Sequence, residues 1–336
     1  MIDGPRQPES RKSASHALEV VEIRRRHPDA FSGGARLIPV ETACGTFQVW
    51  TKRCGDNPRI KLLLLHGGPG ATHEYFECFD GYLPMAGVEY YYYDQLGSHR
   101  SSQPDAPELW ETARFVDEVE QVRKALGLGP DNFFLLGHSW GGILATEYAL
   151  RYQQHLRGLI ISNMVSSIPD YNRYAREVLM PSIPPEVLAE VRSIEAAGDY
   201  ENPRYMGLLI PHHYERHVLR LPHAQWPDPV LRAFAHLNAK IYIPLQGPSE
   251  LGASGKLEHW DRTADLPRIG VPTLTIGAAH DTMDPKHMAA MARALPQGRY
   301  LHCPDGSHMA MYDDQAVYVA GLLDFLRDVA GAVPGR

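Results

Sequence analysis

Cysteine is scarce in this chain, and the four cysteines, Cys44, Cys54, Cys78 and Cys303, form no C-x-x-C pair. The spacing typical of zinc ribbons and thioredoxin-like redox motifs is therefore absent. The sequence leaves open a disulfide between Cys44 and Cys54 across a hairpin, although buried free thiols in a reducing compartment are the simpler interpretation. We expect neither a metal ion nor a cofactor.

Long apolar runs and a basic surplus are also missing. No stretch approaches the roughly 20 apolar residues that span a bilayer, and residues 1–32 lack the apolar region of a signal peptide. The net charge of −7 leaves no basic excess to neutralise phosphates. The phosphate-binding G-x-x-x-x-G-K and dinucleotide-binding G-x-G-x-x-G patterns do not occur. We therefore expect neither a membrane nor a nucleic-acid partner, with the cytoplasm as the default location, while the oligomeric state stays open.

The chain does contain apolar segments of strand length that alternate with helical patterns. Continuous apolar runs, unlike alternating ones, are typical of strands covered on both faces. Such runs occupy 61–65, 88–93, 133–136, 156–161, 272–277 and 299–303. Apolar residues recur at helical spacing in 112–126, and 143–152 also reads as a helix. The alternation predicts an α/β fold with a mostly parallel sheet and helices on both faces.

One stretch, residues 162–267, interrupts the alternation. It is rich in proline and shows helical patterns near 185–196 and 202–220. Ligand sites of open α/β sheets lie outside the carboxyl ends of the strands, so a helical insertion there would cover the site. We predict an N-terminal extension (1–32), a core in two parts (33–161 and 268–336) and a helical cap (162–267).

The strongest chemical signal is the G-x-S-x-G pattern Gly137-His138-Ser139-Trp140-Gly141, between a predicted strand and a predicted helix. A nucleophile at a sharp strand-to-helix turn needs neighbours without side chains, which glycine supplies. The helix that follows would direct its N-terminal amides at the reacting centre. The bare pattern arises by chance, but the strand and helix around it make it specific. It predicts an α/β-hydrolase fold with Ser139 as the nucleophile.

A serine hydroxyl needs a base that a third group orients, and in this fold the chain order is serine, acid, histidine. His308, after the last predicted strand, is the expected base, and Asp281, after the strand before it, is the expected acid. Three other residues compete for these roles: Asp284, Asp305 and His280. The two aspartates suit a helix cap and a turn, and the histidine precedes the final strand.

The tetrahedral intermediate of such a reaction needs two hydrogen-bond donors for its oxyanion. The amide of Trp140, directly after the nucleophile, is the first expected donor. The second should come from the glycine-rich loop His66-Gly67-Gly68-Pro69-Gly70, which follows the strand 61–65. We assign it to the Gly68 amide.

Together these motifs resemble the proline iminopeptidase family, which includes prolyl aminopeptidases, the tricorn-interacting aminopeptidase and some amino-acid amidases. The resemblance rests on His66-Gly67-Gly68-Pro69-Gly70, Tyr93-Asp94-Gln95-x-Gly97 and Gly137-x-Ser139-Trp140-Gly141-Gly142. It extends from about Leu37 to the C-terminus and includes the segments Tyr200-Glu201-Asn202-Pro203, Gln225-Trp226-Pro227, Gly247-Pro248-Ser249-Glu250 and Gly306-Ser307-His308.

The resemblance implies a serine exopeptidase that releases one N-terminal residue, often proline, from short peptides or amino-acid amides. It places the carboxylate that binds the substrate ammonium at Glu250. Relatives of the tricorn-interacting type carry a second acid directly after the catalytic aspartate, where this chain has Thr282. That departure keeps open an esterase, a lactonase or an amidase acting on a small acyl substrate. A non-catalytic ligand-binding protein of the same fold is the third hypothesis.

Overall fold

The computed structural model describes residues 21–331, so most of the predicted extension lies outside the described residues. Of that extension, residues 21–26 are helical and Pro28–Ser32 form a 3-10 helix. The latter is tied to the sheet by Asp29, which accepts hydrogen bonds from the Arg53 guanidinium at 3.0 and 3.2 Å. No helix within residues 21–331 is long and apolar enough to cross a membrane.

One eight-stranded sheet organises the described part of the chain, in the order β1-β2-β4-β3-β5-β6-β7-β8. The strands are β1 (Ala35–Thr42), β2 (Gly45–Cys54), β3 (Lys61–Leu65), β4 (Glu89–Asp94), β5 (Phe133–His138), β6 (Gly158–Ser162), β7 (Thr273–Ala278) and β8 (Gly298–Cys303). The β1–β2 and β2–β4 pairs are antiparallel, and every other pair is parallel. The predicted mostly parallel sheet is confirmed.

Helices cover both faces of this sheet. After the helical residues 21–26, the α-helices are, in chain order, α1 (Thr112–Leu126), α2 (Trp140–Tyr152), α3 (Ile168–Tyr174), α4 (Pro185–Ala197), α5 (Pro203–Leu209), α6 (Glu215–His217), α7 (Asp228–Ala235), α8 (Ala239–Leu245), α9 (Pro285–Ala294), α10 (Ala310–Asp313) and α11 (Gln315–Gly331). Successive strand residues point to opposite faces, so Leu63 joins a core with α1, α2 and α9, whereas Leu62 joins a second core with α11.

The stretch between β6 and β7 carries helices α3 to α8, two π-helical turns and a single isolated bridge, Ser167–Asp261. Asn238, just before α8, attaches this stretch to two loops of the sheet domain. Its amide donates to the Gly70 carbonyl at 2.9 Å, and its side-chain nitrogen donates to the Gly97 carbonyl at 2.8 Å. The helical stretch is therefore fixed directly above the glycine-rich loop.

The cysteines are free thiols. Cys44 lies in the turn between β1 and β2, while Cys54 ends β2, so the two do not face each other across the hairpin. The disulfide left open by the sequence is thereby excluded.

Candidate active site

Ser139 occupies the turn between β5 and α2 with φ 56° and ψ −129°. Such positive φ is uncommon for a residue with a side chain and persists only where the surroundings impose it. A Cβ added to Gly137 would lie 1.9 Å from the Gly141 carbonyl oxygen, and one added to Gly141 would lie 2.0 Å from that of Leu65. Both glycines are needed because neighbouring backbone fills the space of a side chain.

His308 and Asp281 form a buried pair. The His308 Nδ1 lies 2.8 Å from the Asp281 Oδ1. Asp281 is oriented by further donors: the Met283 amide at 3.0 Å on Oδ1 and the Asn163 side chain at 2.8 Å on Oδ2. Because a carboxylate only accepts hydrogen bonds, His308 Nδ1 carries a proton and Nε2 is left to act as a base. His308 and Ser139 line the same cavity, so the structure brings the three predicted residues together.

The competing residues lie elsewhere. Asp284 caps α9, where its Oδ1 accepts the Lys286 amide at 2.8 Å. Asp305 is exposed, and its carbonyl accepts Arg220 Nη1 at 2.7 Å. Neither of them, nor His280, lines the cavity that contains Ser139.

The glycine-rich loop lies against the nucleophile, since a Cβ added to Gly67 would meet the Ser139 Cβ at 2.9 Å. The Gly67 amide donates to the Tyr75 hydroxyl at 2.6 Å and is therefore already committed. The next amide along the loop is that of Gly68, which lines the cavity and has a φ of 105°. Within residues 21–331 no acceptor engages the Gly68 amide, in keeping with its predicted role as an oxyanion donor.

Gln95, from the Asp-Gln-x-Gly segment, joins the two sides of the site. Its side-chain nitrogen donates to the His66 carbonyl at 3.0 Å, and its Oε1 accepts the Trp140 indole N–H at 2.9 Å. Its own amide donates to His66 Nε2 at 3.1 Å, so the His66 proton resides on Nδ1. Burial lowers the pKa of His66 to about 4, which keeps the ring neutral. The sequence motifs gave no sign of this shared network.

The cavity at Ser139 measures about 970 Å³ including its open mouth. Its walls are mainly apolar and aromatic, with six rings supplied by Tyr75, Tyr200, Tyr205, Tyr214, Phe234 and Tyr242. Glu250 is the one carboxylate among the lining residues, which include no lysine or arginine.

The Glu250 carboxylate is held in place within this cavity. Its Oε1 accepts the Tyr242 hydroxyl at 2.6 Å. The Glu250 carbonyl accepts the Tyr171 hydroxyl at 2.8 Å and lies 2.9 Å from His213 Nε2. These bonds fix the backbone of the segment, so the carboxylate presents a fixed negative charge to whatever enters.

Thr282 does not face the cavity. It is buried, with its hydroxyl oxygen 3.2 Å from His308 Nδ1 and 3.3 Å from Asp281 Oδ1. A residue directly after Asp281 therefore contacts the Asp281–His308 pair in this chain. With Asp284 occupied as a helix cap, Glu250 is the sole acid that the described lining offers to a substrate ammonium.

Glu74, His99 and His236 place potential metal-ligand atoms within 4.8 Å of one another. The Glu74 carboxylate is already paired with the Arg232 guanidinium, and its Oε2 lies 2.7 Å from His236 Nδ1. The rings of His99 and His236 stack at 3.8 Å. None of these four residues lines the cavity at Ser139. We interpret the group as an ion-pair network that joins α7 to the 3-10 helix His73–Gly81.

The comparisons with known proteins agree with this geometry. Residues 61–315 match the family described as the alpha/beta hydrolase fold. The chain is 55% identical over 293 residues to a protein named proline iminopeptidase from Flavobacterium johnsoniae, covering 87% of this chain and 98% of that protein. The chain belongs to the proline iminopeptidase family. The resemblance predicted from its motifs is thus confirmed.

Two solved structures share this architecture. The crystal structure of proline iminopeptidase from Mycobacterium smegmatis is 29% identical, with a TM-score of 0.77 over 88% of this chain and 98% of that one. The crystal structure of VinJ is 28% identical, with a TM-score of 0.80 over 88% of this chain and 99% of that one.

Proposed function

We propose that this protein is a serine exopeptidase that releases an N-terminal residue, preferentially proline, from short peptides or amino-acid amides. The observation that carries the proposal is a single fixed carboxylate, Glu250, in a mainly apolar and aromatic cavity that also contains Ser139 and His308. The names of relatives at 49 to 55% identity support the same activity.

In the proposed reaction Ser139 attacks the acyl carbon of the substrate while His308 Nε2 takes the hydroxyl proton. Asp281 orients the His308 ring and stabilises its charged form. The Gly68 and Trp140 amides stabilise the oxyanion of the tetrahedral intermediate. His308 then gives its proton to the leaving amine, and an acyl-enzyme forms on Ser139. Water, activated by the same histidine, releases the free amino acid.

Recognition of the substrate ammonium falls to Glu250 in this scheme. Hydrogen bonds between a carboxylate and an ammonium are charge-assisted, so they are shorter and stronger than neutral ones. The proposed cap, residues 162–267, supplies this residue together with the rings of Tyr205, Tyr214 and Phe234. The cap thereby provides both the charge and the apolar surface that a pyrrolidine ring requires.

A prolyl p-nitroanilide and its N-acetylated form, assayed with the wild type and Glu250→Gln, test the amine site. Acetylation removes the charge, so we expect the wild type to lose most of its kcat/KM on the acetylated substrate. Glu250→Gln should lower kcat/KM for the free amine by about 10- to 100-fold, because a hydrogen bond to a charged group contributes roughly 1.5–3 kcal/mol. The exposed Glu258→Gln is the matched control.

Equal wild-type rates on both substrates would contradict the amine site. Activity on simple esters or lactones, with none on aminoacyl arylamides, would instead support the second candidate, an esterase, lactonase or amidase for a small acyl substrate. That candidate is favoured by the absence of a second cavity acid at Thr282.

The pH profile tests the Asp281–His308 pair. Burial alone would lower the pKa of His308, but the Asp281 charge and its hydrogen bond raise it above 6.5. The base must be neutral to accept a proton, so kcat/KM should fall about tenfold per pH unit below that pKa. We expect the acid limb of kcat/KM to have its midpoint above pH 6.5. A midpoint at or below pH 6.5 would show that the carboxylate does not stabilise the imidazolium.

A further inference from the structure

His138, the variable residue of the G-x-S-x-G pattern, is buried between two loops of the site. Its Nε2 lies 2.8 Å from the carbonyl oxygen of His308, and its Nδ1 lies 3.1 Å from the hydroxyl of Tyr75. That hydroxyl also accepts the Gly67 amide at 2.6 Å. A continuous chain of hydrogen bonds thus runs from the oxyanion loop to the backbone of the expected base.

The donors and acceptors of this chain can all be assigned. A carbonyl only accepts, so the His138 proton resides on Nε2 and is donated to His308. Burial, with the neighbouring His308 as the next cause, lowers the pKa of His138 to about 3, so the ring carries one proton. Its Nδ1 must then accept the hydroxyl proton of Tyr75. The Tyr75 oxygen is left to accept from Gly67.

We propose that Tyr75 and His138 are positioning residues that fix the oxyanion loop relative to the loop that carries His308. This rests on the function proposed above, because it assigns Gly68 and His308 their roles in acyl transfer. The single hydroxyl proton of Tyr75 and both ring nitrogens of His138 are used within the bridge. Although both rings border the cavity, they act on the reaction through Gly67, Gly68 and His308.

The position of His308 depends on this bridge because its carbonyl has the His138 ring as its partner. Its amide donates to the His217 carbonyl at 2.9 Å, and its carbonyl accepts from His138 at 2.8 Å. The peptide that carries this carbonyl is otherwise held by the Met309 amide, which donates to the Val218 carbonyl at 2.9 Å. Loss of the His138 bond would let the peptide pivot about that contact, which would loosen the 2.8 Å contact between the ring and Asp281. At the other end, loss of the Tyr75 hydroxyl would release Gly67 and, with it, the Gly68 amide.

Packing is the competing explanation for these two residues. The rings of Tyr75 and His138 meet edge to face at 5.2 Å, and Phe76 meets His138 at 6.2 Å. The Tyr75→Phe variant keeps these ring contacts and removes only the hydroxyl. It therefore separates positioning from packing.

We expect Tyr75→Phe to lower kcat by about 10- to 100-fold, with KM changed less than about threefold, because small displacements of reacting groups have effects of this size. His138→Leu should lower kcat at least as much and move the acid limb of kcat/KM to lower pH, as His308 loses its contact with Asp281. His138→Gln should recover part of kcat, because its amide nitrogen can donate to the His308 carbonyl. The controls are the exposed Tyr82→Phe and His302→Gln.

The rate at which a fluorophosphonate labels Ser139 gives a second readout that needs no proline substrate. It should fall in Tyr75→Phe and in His138→Leu, in parallel with kcat. If the wild type is labelled but cleaves no prolyl substrate, the proposed function fails while the bridge is still tested. If both variants keep the wild-type labelling rate and pH profile and lose only thermal stability, the bridge is structural and the proposal is wrong.

Discussion

Ser139→Ala is expected to lower kcat on a prolyl arylamide by about 10⁶-fold, the size of effect seen when a serine hydrolase loses its nucleophile. Alanine fits the space of serine, and the φ of 56° is no more strained for alanine than for serine, so we expect the fold to persist. The Gly68 and Trp140 amides stay in place. They should leave a residual rate about 10³- to 10⁴-fold above that in water. Steady-state release of p-nitroaniline measures the loss.

Labelling by a fluorophosphonate probe completes this test, since the probe reports the activated hydroxyl independently of substrate preference. Ser193→Ala, an exposed serine on α4, is the matched control and should label like the wild type. Labelling that survives in Ser139→Ala would place the nucleophile elsewhere. A wild type that binds prolyl ligands but is neither labelled nor active would favour the non-catalytic alternative.

Much of the fold could be predicted because strands that are buried on both faces have continuous apolar sequences. The run at 88–93 anticipated β4 to within one residue, yet the strand is Glu89–Asp94, with acids at both ends. Its ends depend on ladder partners: Glu89 pairs with Lys61 of β3, and Asp94 with Trp50 of β2. The place of β4 between β2 and β3 follows from such non-local pairing, which a single sequence does not encode locally.

Three residues of the candidate site could be predicted because each follows a strand and is of a type used in serine hydrolysis. Ser139, Asp281 and His308 each follow a strand, and parallel strands bring their carboxyl ends to one edge of the sheet. Thr282 shows the limit. The resemblance predicts a second acid at this position, but which way a side chain turns there depends on loop geometry. In the structure it contacts Asp281 and His308.

The hydrogen-bond bridges through Gln95 and through Tyr75 were missed altogether. Each joins loops that are far apart in the chain, and their partners are fixed by side-chain rotamers. One signal was available in hindsight. The first variable position of the G-x-S-x-G pattern holds His138, a large polar residue at a turn where the backbone is packed too closely for side chains at the glycines. A polar side chain buried at such a turn needs hydrogen-bond partners.

Asp281→Asn is expected to lower kcat by about 10⁴-fold with little change in KM, because an uncharged amide neither stabilises the imidazolium nor fixes its tautomer. The geometry shows why asparagine cannot substitute. Asp281 Oδ1 accepts from His308 Nδ1 and the Met283 amide, while Oδ2 accepts from the Asn163 side chain. In place of Oδ1 the new NH2 group meets the Met283 amide, and in place of Oδ2 it meets the Asn163 side-chain amide, so a donor faces a donor in either orientation. Facing His308, it moves the ring proton to Nε2, where the base must be free.

Asp284→Asn and Asp305→Asn are the controls for this test, since the sequence allowed either aspartate to be the catalytic acid. The first should lose only part of a helix cap, about 0.5–2 kcal/mol of stability at most. The second changes an exposed side chain. We expect both to keep kcat within about threefold of the wild type, because neither carboxylate contacts His308. A loss of kcat in Asp284→Asn comparable to that of Asp281→Asn would mean that the 2.8 Å pair is not the one that functions in turnover.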